Sequence, residues 1–267
     1  MTSEQKRRYN RHIILEGFGS ERQQRLLESK VLIVGAGGLG SPCALYLAAA
    51  GVGTIGIADA DTVSISNLQR QIIHTTEDAG QLKALSAQAK MQRINPDIRV
   101  ETYTSFITAE NALSILEQYD FIIDCTDSFA SKYLINDACI MLGKPFCIAG
   151  IVAYNGQIMT HVPGSACYRC LFPTPPPENQ VETCSMVGVL GSAVGTIGTL
   201  QATEAIKVLT GIGTPLTNTI LTYDALAAQF QRFDFQANPD CSLCGSHPSV
   251  TELQEYSFQP CRKNTKE

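Results

Sequence analysis

Val31-Leu32-Ile33-Val34-Gly35-Ala36-Gly37-Gly38-Leu39-Gly40 is the stretch whose reading decides the fold. Four consecutive apolar residues make a short strand that expects burial on both faces. The glycines behind them, spaced Gly35-x-Gly37-x-x-Gly40, supply a tight turn and let the backbone approach an anionic ligand. They also let the following helical stretch, residues 43–50, pack onto the strand. A second apolar run, residues 55–58, ends in Asp59-Ala60-Asp61, which puts a carboxylate at Asp59 where a dinucleotide fold places its ribose ligand.

Outward from that unit the pattern alternates. A helix over 79–94, with Thr76 as its cap, stops at Asn95-Pro96; a strand over 99–103, a helix over 109–117, a strand over 121–125, a helix over 129–142 and a strand over 146–149 follow. Such alternation predicts an α/β fold, a Rossmann-like doubly wound, mostly parallel sheet. Residues 1–29 read as an N-terminal arm whose helix, 20–29, is capped by Ser20 and closed by Gln23. Residues 30–150 form the nucleotide-binding half, 151–248 a second half of the same domain, and 249–267 a polar tail. The second half carries a strand over 157–162, a loop with Pro173, Pro175, Pro176 and Pro177, and strands near 219–223 and 229–235. Its long helix, 189–209, brings Gly188, Gly191, Gly195 and Gly198 to one face, where another backbone can approach.

With 267 residues, 44% of them hydrophobic and 17% charged, the chain can bury a sizeable core. A net charge of −5 argues against a polyanion-coating surface, so nucleic acid is not the expected partner. The first ten residues lack the apolar core of a signal peptide, and the longest apolar stretch, 187–200, is interrupted and too short to span a bilayer. No membrane partner is expected, and the chain reads as a soluble cytoplasmic protein. Ten cysteines in such a chain point to thiols or a metal rather than disulfides. Cys167-x-x-Cys170 and Cys241-x-x-Cys244 together supply the four thiolates of a structural zinc site that clamps the second half onto the sheet. The competing reading is two unrelated thiol pairs or a redox dithiol. Cys43, Cys125, Cys139 and Cys147 fall on apolar positions and read as core. His12, His74, His161 and His247 show no ligand spacing.

The glycine turn alone also suits a nicotinamide-dependent oxidoreductase. Its company favours a triphosphate instead: Asp61 beside Asp59, then Ser66-Asn67-Leu68-Gln69-Arg70-Gln71, then Lys83. Arg70 and Lys83 could neutralise phosphates that the amides of one turn cannot hold, unless they are an ordinary solvated pair. Asp127, at the carboxyl edge of the sheet, would repel phosphates without a divalent cation between them, which points to magnesium. The alternative for Asp127 is a helix cap.

At these residues the chain resembles the ThiF, MoeB and HesA proteins, bacterial relatives of the ubiquitin-activating enzymes. The resemblance runs from Tyr9-x-Arg11-His12 through Gly35-x-Gly37-Gly38-x-Gly40, Asp59-x-Asp61, Ser66 to Gln71, Gly80-x-x-Lys83 and Asp124-Cys125-Thr126-Asp127 to the two cysteine pairs. It departs at Ser128, where many relatives have Asn. The resemblance implies that Asp59 binds ribose, that Asn67, Arg70 and Lys83 hold the triphosphate of ATP, and that Asp127 binds magnesium. It implies a homodimer in which Arg11 reaches the partner subunit's site. The implied activity is adenylylation of the C-terminal glycine of a ubiquitin-like sulfur carrier, ThiS-like or MoaD-like, in the thiamine or molybdopterin pathway, with residues 151–248 receiving the carrier. Little chain follows Cys244, so the sulfur donor is expected to be a separate protein. Cys184, ahead of the glycine-faced helix, is similar in position to a thiol that relays the activated group in relatives; a structural thiol is the other reading. The rival functions are a catalytically silent scaffold of the same fold and the NAD-dependent oxidoreductase.

Overall fold

The computed structural model describes residues 1–176 and 184–256. Three helices open the chain, α1 (Ser3–Arg8), α2 (Asn10–Ile13) and α3 (Gly19–Glu28). Then come β1 (Lys30–Val34), α4 (Gly40–Ala50), β2 (Thr54–Ala58), α5 (Lys83–Ile94), β3 (Arg99–Tyr103), α6 (Ala112–Leu116), β4 (Phe121–Asp124), α7 (Phe129–Met141) and β5 (Phe146–Val152). The second half holds β6 (Asn155–His161), α8 (Tyr168–Leu171), α9 (Cys184–Val187), α10 (Gly191–Thr210), β7 (Thr219–Asp224) and β8 (Gln229–Asp234). Among the described residues the eight strands form one sheet in the order β3-β2-β1-β4-β5-β6-β7-β8. Pairing is parallel from β3 to β5 and antiparallel from β5 to β8. The expected doubly wound, mostly parallel α/β sheet with a cysteine-clustered extension is what the chain forms.

Residues of alternate parity on the parallel strands point to opposite faces, and both faces are covered. Val31, Ile33, Ile55, Ile57 and Ile123 pack with Leu47 of α4, Met91 of α5 and Ile197 of α10. Leu32, Val34, Ile122 and Ile148 pack on the other face with Leu116 of α6 and Tyr133 of α7. Strand order reverses between β1 and β4, and the crevice beyond their carboxyl ends is where such sheets bind ligands. Among the described residues, no helix is long and apolar enough to cross a membrane.

Several local expectations give way to tertiary demands. Ser20 does not cap α3, whose N-cap is Phe18 with no side-chain bond. Gln23 does not close a capping box; it is buried, with Nε2 donating to Ala50 O at 2.8 Å and Oε1 3.1 Å from His12 Nδ1. The helix expected from residue 79 begins at Lys83, because Thr62 and Leu82 form a β-bridge and Lys83 N donates to Asp61 O. Thr76 caps nothing; it opens a 3₁₀ turn, Thr76–Asp78, behind Thr75. Of the four glycines expected on one helix face, two serve close packing. A Cβ on Gly191 would lie 2.3 Å from Gln69 O, and one on Gly198 2.4 Å from Leu39 O. Gly195 faces open space, and Gly188 precedes the helix. Cys43, Cys125, Cys139 and Cys147 are buried, as expected of core residues.

In the second half, α8 is locked to α7. Arg169 forms a bidentate pair with buried Asp137, both contacts at 2.8 Å, and Tyr168 N donates to Asn136 Oδ1 at 2.9 Å. Tyr256, in the segment read as a tail, joins this pair: its hydroxyl lies 2.7 Å from both Arg169 Nη2 and Asp137 Oδ2.

Candidate active site

The crevice at the strand reversal is a cleft of about 980 Å³. Its floor is the glycine turn. Gly35 has φ +100°, and a Cβ there would lie 2.9 Å from Cys125 O; a Cβ on Gly40 would collide with Gly35 O at 1.9 Å. Only glycine permits this turn, which leaves Gly37 and Gly38 facing the cleft.

Asp59 stands at the end of β2 as the sequence predicts. Its Oδ2 accepts from Ala36 N at 2.8 Å and its Oδ1 from Asp61 N at 2.9 Å, so the carboxylate is fixed at the rim of the turn with lone pairs to spare for hydroxyl donors. Burial raises its pKa above the usual carboxylate value, against the pull of Lys83 and the two amides. Lys83, at the first turn of α5, donates through Nζ to Asp61 Oδ2 at 2.8 Å; its side chain is 8% exposed and that of Asp61 56%. Arg70 lays its stem beside Gly38 and bonds Ser66 O through Nη1 at 3.2 Å. Asp127 is exposed and lines the same cleft. The helix-capping alternative for Asp127 goes instead to Ser128, whose side chain accepts from Ser131 N. Gly35, Gly37, Gly38, Asp59, Asp61, Arg70, Lys83 and Asp127 thus share one cleft.

Other expected residues lie outside its lining. Ser66 bonds Ser64, and Asn67 Oδ1 accepts from Ser64 N to close a 3₁₀ turn. Gly40 is buried behind the turn. Arg11 is exposed on α2 and does not line the cleft of its own chain. Cys184 opens α9, but its side chain is outside the described residues.

The cleft also holds a group that the motifs do not single out. Lys132 of α7, 7% exposed, directs its ammonium at Asp124 Oδ2 (3.1 Å), Thr126 O (2.8 Å) and Ala149 O (2.6 Å). Asp124 is fully buried and also accepts from Thr126 N and Oγ1. This knot ties β4, β5 and α7 together directly behind the loop that presents Asp127. The available signal was a lysine in the first turns of a helix, eight residues after an aspartate that ends a buried strand. His74 braces the other side: Nε2–H donates to Ala36 O at 3.0 Å while Nδ1 meets Ser86 Oγ at 2.8 Å, and burial holds its pKa below the ordinary histidine value.

Away from the cleft, Cys167, Cys170, Cys241 and Cys244 converge with their sulfurs within 4.8 Å of one another. Closest separations run from 3.3 to 3.8 Å. Four thiolates about 2.3 Å from a tetrahedral zinc would stand about 3.8 Å apart, so the donor set and its spacing fit that ion. Burial pushes the Cys167 thiol up and that of Cys244 to about 12, whereas at Cys241 burial is opposed by hydrogen bonds from backbone amides and from the Cys244 and Cys167 thiols, which together bring it below the ordinary value. A divalent cation would reverse the resistance of the first two to ionisation.

The family model described as the ThiF family matches residues 9–243. A sulfur carrier protein adenylyltransferase of Thermus thermophilus is 47% identical over 261 residues, 96% of each chain. The adenylyltransferase and sulfurtransferase MOCS3 of Sus scrofa is 44% identical over 251 residues, covering 93% of this chain and 55% of that protein. The chain therefore spans nearly all of the first relative and about half of the second. Among solved structures, E. coli MccB with ATP shares the fold with a TM-score of 0.77 at 24% identity, over 89% of this chain and 73% of the other.

Proposed function

The chain belongs to the ThiF family, and from that premise we propose that it uses ATP to adenylylate the C-terminal glycine of a ubiquitin-like sulfur carrier protein, ThiS-like or MoaD-like, releasing pyrophosphate. The observation that carries this reading is the meeting of Asp59, Arg70, Lys83 and Asp127 around one glycine turn. Asp59 takes the ribose, Gly35 to Gly40 cradle phosphate with backbone amides, and Arg70 and Lys83 neutralise the triphosphate, with Asp61, Ser66 and Asn67 shaping its surroundings. Asp127 would hold magnesium, which supplies charge neutralisation on the phosphates when bound.

The chemistry needs no general base. A terminal carboxyl group with a pKa of about 3.3 to 3.7 is ionised at neutral pH. One of its oxygens attacks the α-phosphorus, the bond to the bridging oxygen of the β-phosphate breaks, and pyrophosphate leaves. The obstacle is repulsion between anions, so positioning and cationic side chains carry the catalysis. Beyond the turn the cleft continues along Gly150, Gln157, Thr222 and Gln231, a groove over the antiparallel half of the sheet that suits an extended chain end. Residues 151–248 are on this reading the carrier-binding half.

Arg11 would act in the cleft of a partner subunit in a homodimer; its exposure, away from the cleft of its own chain, supports that role. The four cysteines would hold a structural zinc with no open coordination position. Cys184 would relay the acyl group or sulfur supplied by a separate donor protein. The deciding experiment is ATP–pyrophosphate exchange with purified ThiS-like and MoaD-like carriers. Carrier-dependent exchange is expected; its absence with every carrier, or nicotinamide binding in its place, would overturn the reading.

A further inference from the structure

Among the described residues, Gln71 Oε1 is the buried side-chain oxygen that has no hydrogen-bond partner. Gln71 is 4% exposed and lines the nucleotide cleft. Its backbone is committed without the side chain: the N–H donates to Asn67 O at 2.9 Å, and the carbonyl accepts from His74 N at 3.1 Å. The turn therefore holds the residue in place whatever its side chain. The carboxamide lies against the floor of the cleft, with Nε2 only 3.5 Å from where a Cβ on Gly37 would sit. Its neighbour Arg70 approaches Gly38 in the same way, Cγ at 3.5 Å from the corresponding position. Two successive side chains thus flank two successive glycines of the turn, Arg70 with its methylene stem and Gln71 with its carboxamide.

An unpaired buried amide oxygen is unfavourable in the free protein, and an apolar side chain of the same shape would remove that cost. Among the described residues no protein group pairs this oxygen, and the residue lines the cleft where a ligand would bind. That ligand must bring an acceptor for Nε2–H and a donor for Oε1 to one place. A bare phosphate brings acceptors alone. A phosphate carrying a hydrated divalent cation brings both, an oxygen for Nε2 and a cation-bound water for Oε1.

We propose that Gln71 is a further ligand of the cation–polyphosphate group of the bound nucleotide, engaging it through both ends of its carboxamide at Gly37. The proposal rests on the adenylylation reading above and adds to it a residue that the charged groups do not include.

The test is calorimetric titration of wild type, Gln71→Met and Gln71→Glu with ATP, with and without magnesium, alongside the Tm of each free protein. Gln71→Met should bind magnesium–ATP about tenfold more weakly, while its Tm equals or exceeds that of wild type. Adenosine, which has no phosphate, should bind the two alike. Gln71→Glu, matched in size, sets a carboxylate against the phosphates and should weaken magnesium-free ATP more than Gln71→Met does. A structural role would move the Tm instead, so a Tm several degrees below wild type in Gln71→Met, or unchanged affinity for magnesium–ATP, overturns the proposal. If wild type binds no ATP, the adenylylation reading itself falls; if wild type binds ATP and catalyses exchange while Gln71→Met matches it, only the assignment of Gln71 falls.

Discussion

Lys132→Met removes the ammonium from a fully built site. All three of its donor directions are occupied, by Asp124 Oδ2, Thr126 O and Ala149 O, and the carboxylate it neutralises has no exposure to water. Methionine fills a similar volume, so the expected penalty is that of an uncompensated buried carboxylate, about 3–5 kcal/mol. At roughly 2–4 °C per kcal/mol for a chain of this size class, the thermal midpoint should fall on the order of 6–20 °C. Asp124→Asn supplies the control. Its amide oxygen can still accept from Thr126 N and Oγ1, at 2.8 and 2.6 Å in the wild type, and combined with Lys132→Met it leaves no buried charge to be paired. The double variant should therefore be less destabilised than the sum of the single ones, with a coupling of more than about 1 kcal/mol. Urea denaturation of the four proteins measures the cycle, and pyrophosphate exchange should fall with Lys132→Met because the loop presenting Asp127 loses its brace. A Lys132→Met protein within about 1 kcal/mol of wild type, or strictly additive costs, would refute the reasoning.

Asp127→Asn, at an exposed position, should leave the Tm unchanged and abolish pyrophosphate exchange; mixed with inactive Arg11→Ala chains it should regain some activity through hybrid dimers, and no recovery despite subunit exchange would place Arg11 in its own chain's site. Cys167→Ser should lose a zinc that metal analysis finds at about one per chain in the wild type, together with folding stability, since Cys167 is fully buried among the four sulfurs. Burial depresses the pKa of both His74 and His161. The unfolded chain, titrating near about pH 6.5, then binds more protons than the folded one as the pH falls below that value, so stability should be present at pH 7.5 and decline toward pH 5.5. Each histidine contributes up to about 1.4 kcal/mol per pH unit in that window, and a His74→Gln protein whose urea midpoint keeps the full wild-type pH slope would sink this account.

Features written over a few consecutive residues were legible without the structure. The apolar run 31–34 and its glycines specify a buried strand and a turn that no side chain could enter, and the alternation that follows leaves a doubly wound sheet as the arrangement that buries every apolar face. Asp59 could be placed because it ends a strand adjacent to that turn, and Asp127 because β4 ends three residues before it. Capping was less legible. Ser20 and Gln23 have the right local chemistry, yet Gln23 gains more from a buried bond to Ala50 O than from closing an exposed turn. The bridge between Thr62 and Leu82 likewise overrides helix propensity and delays α5 until Lys83, which brings its ammonium to Asp61. Two cysteine pairs separated by 70 residues declare their chemistry in the sequence, but only the sheet and the lock of α8 on α7 set their sulfurs within 4.8 Å. Lys132 was not singled out by any motif, and Gln71 stood in the Ser66–Gln71 stretch without a role of its own, because what distinguishes both is the environment that distant segments build around them. A lysine is unremarkable until three acceptors from β4, β5 and the intervening loop enclose it, and a glutamine until burial leaves its oxygen unpaired. Burial turns a residue type into a free-energy cost or gain, and burial is decided by which segments meet.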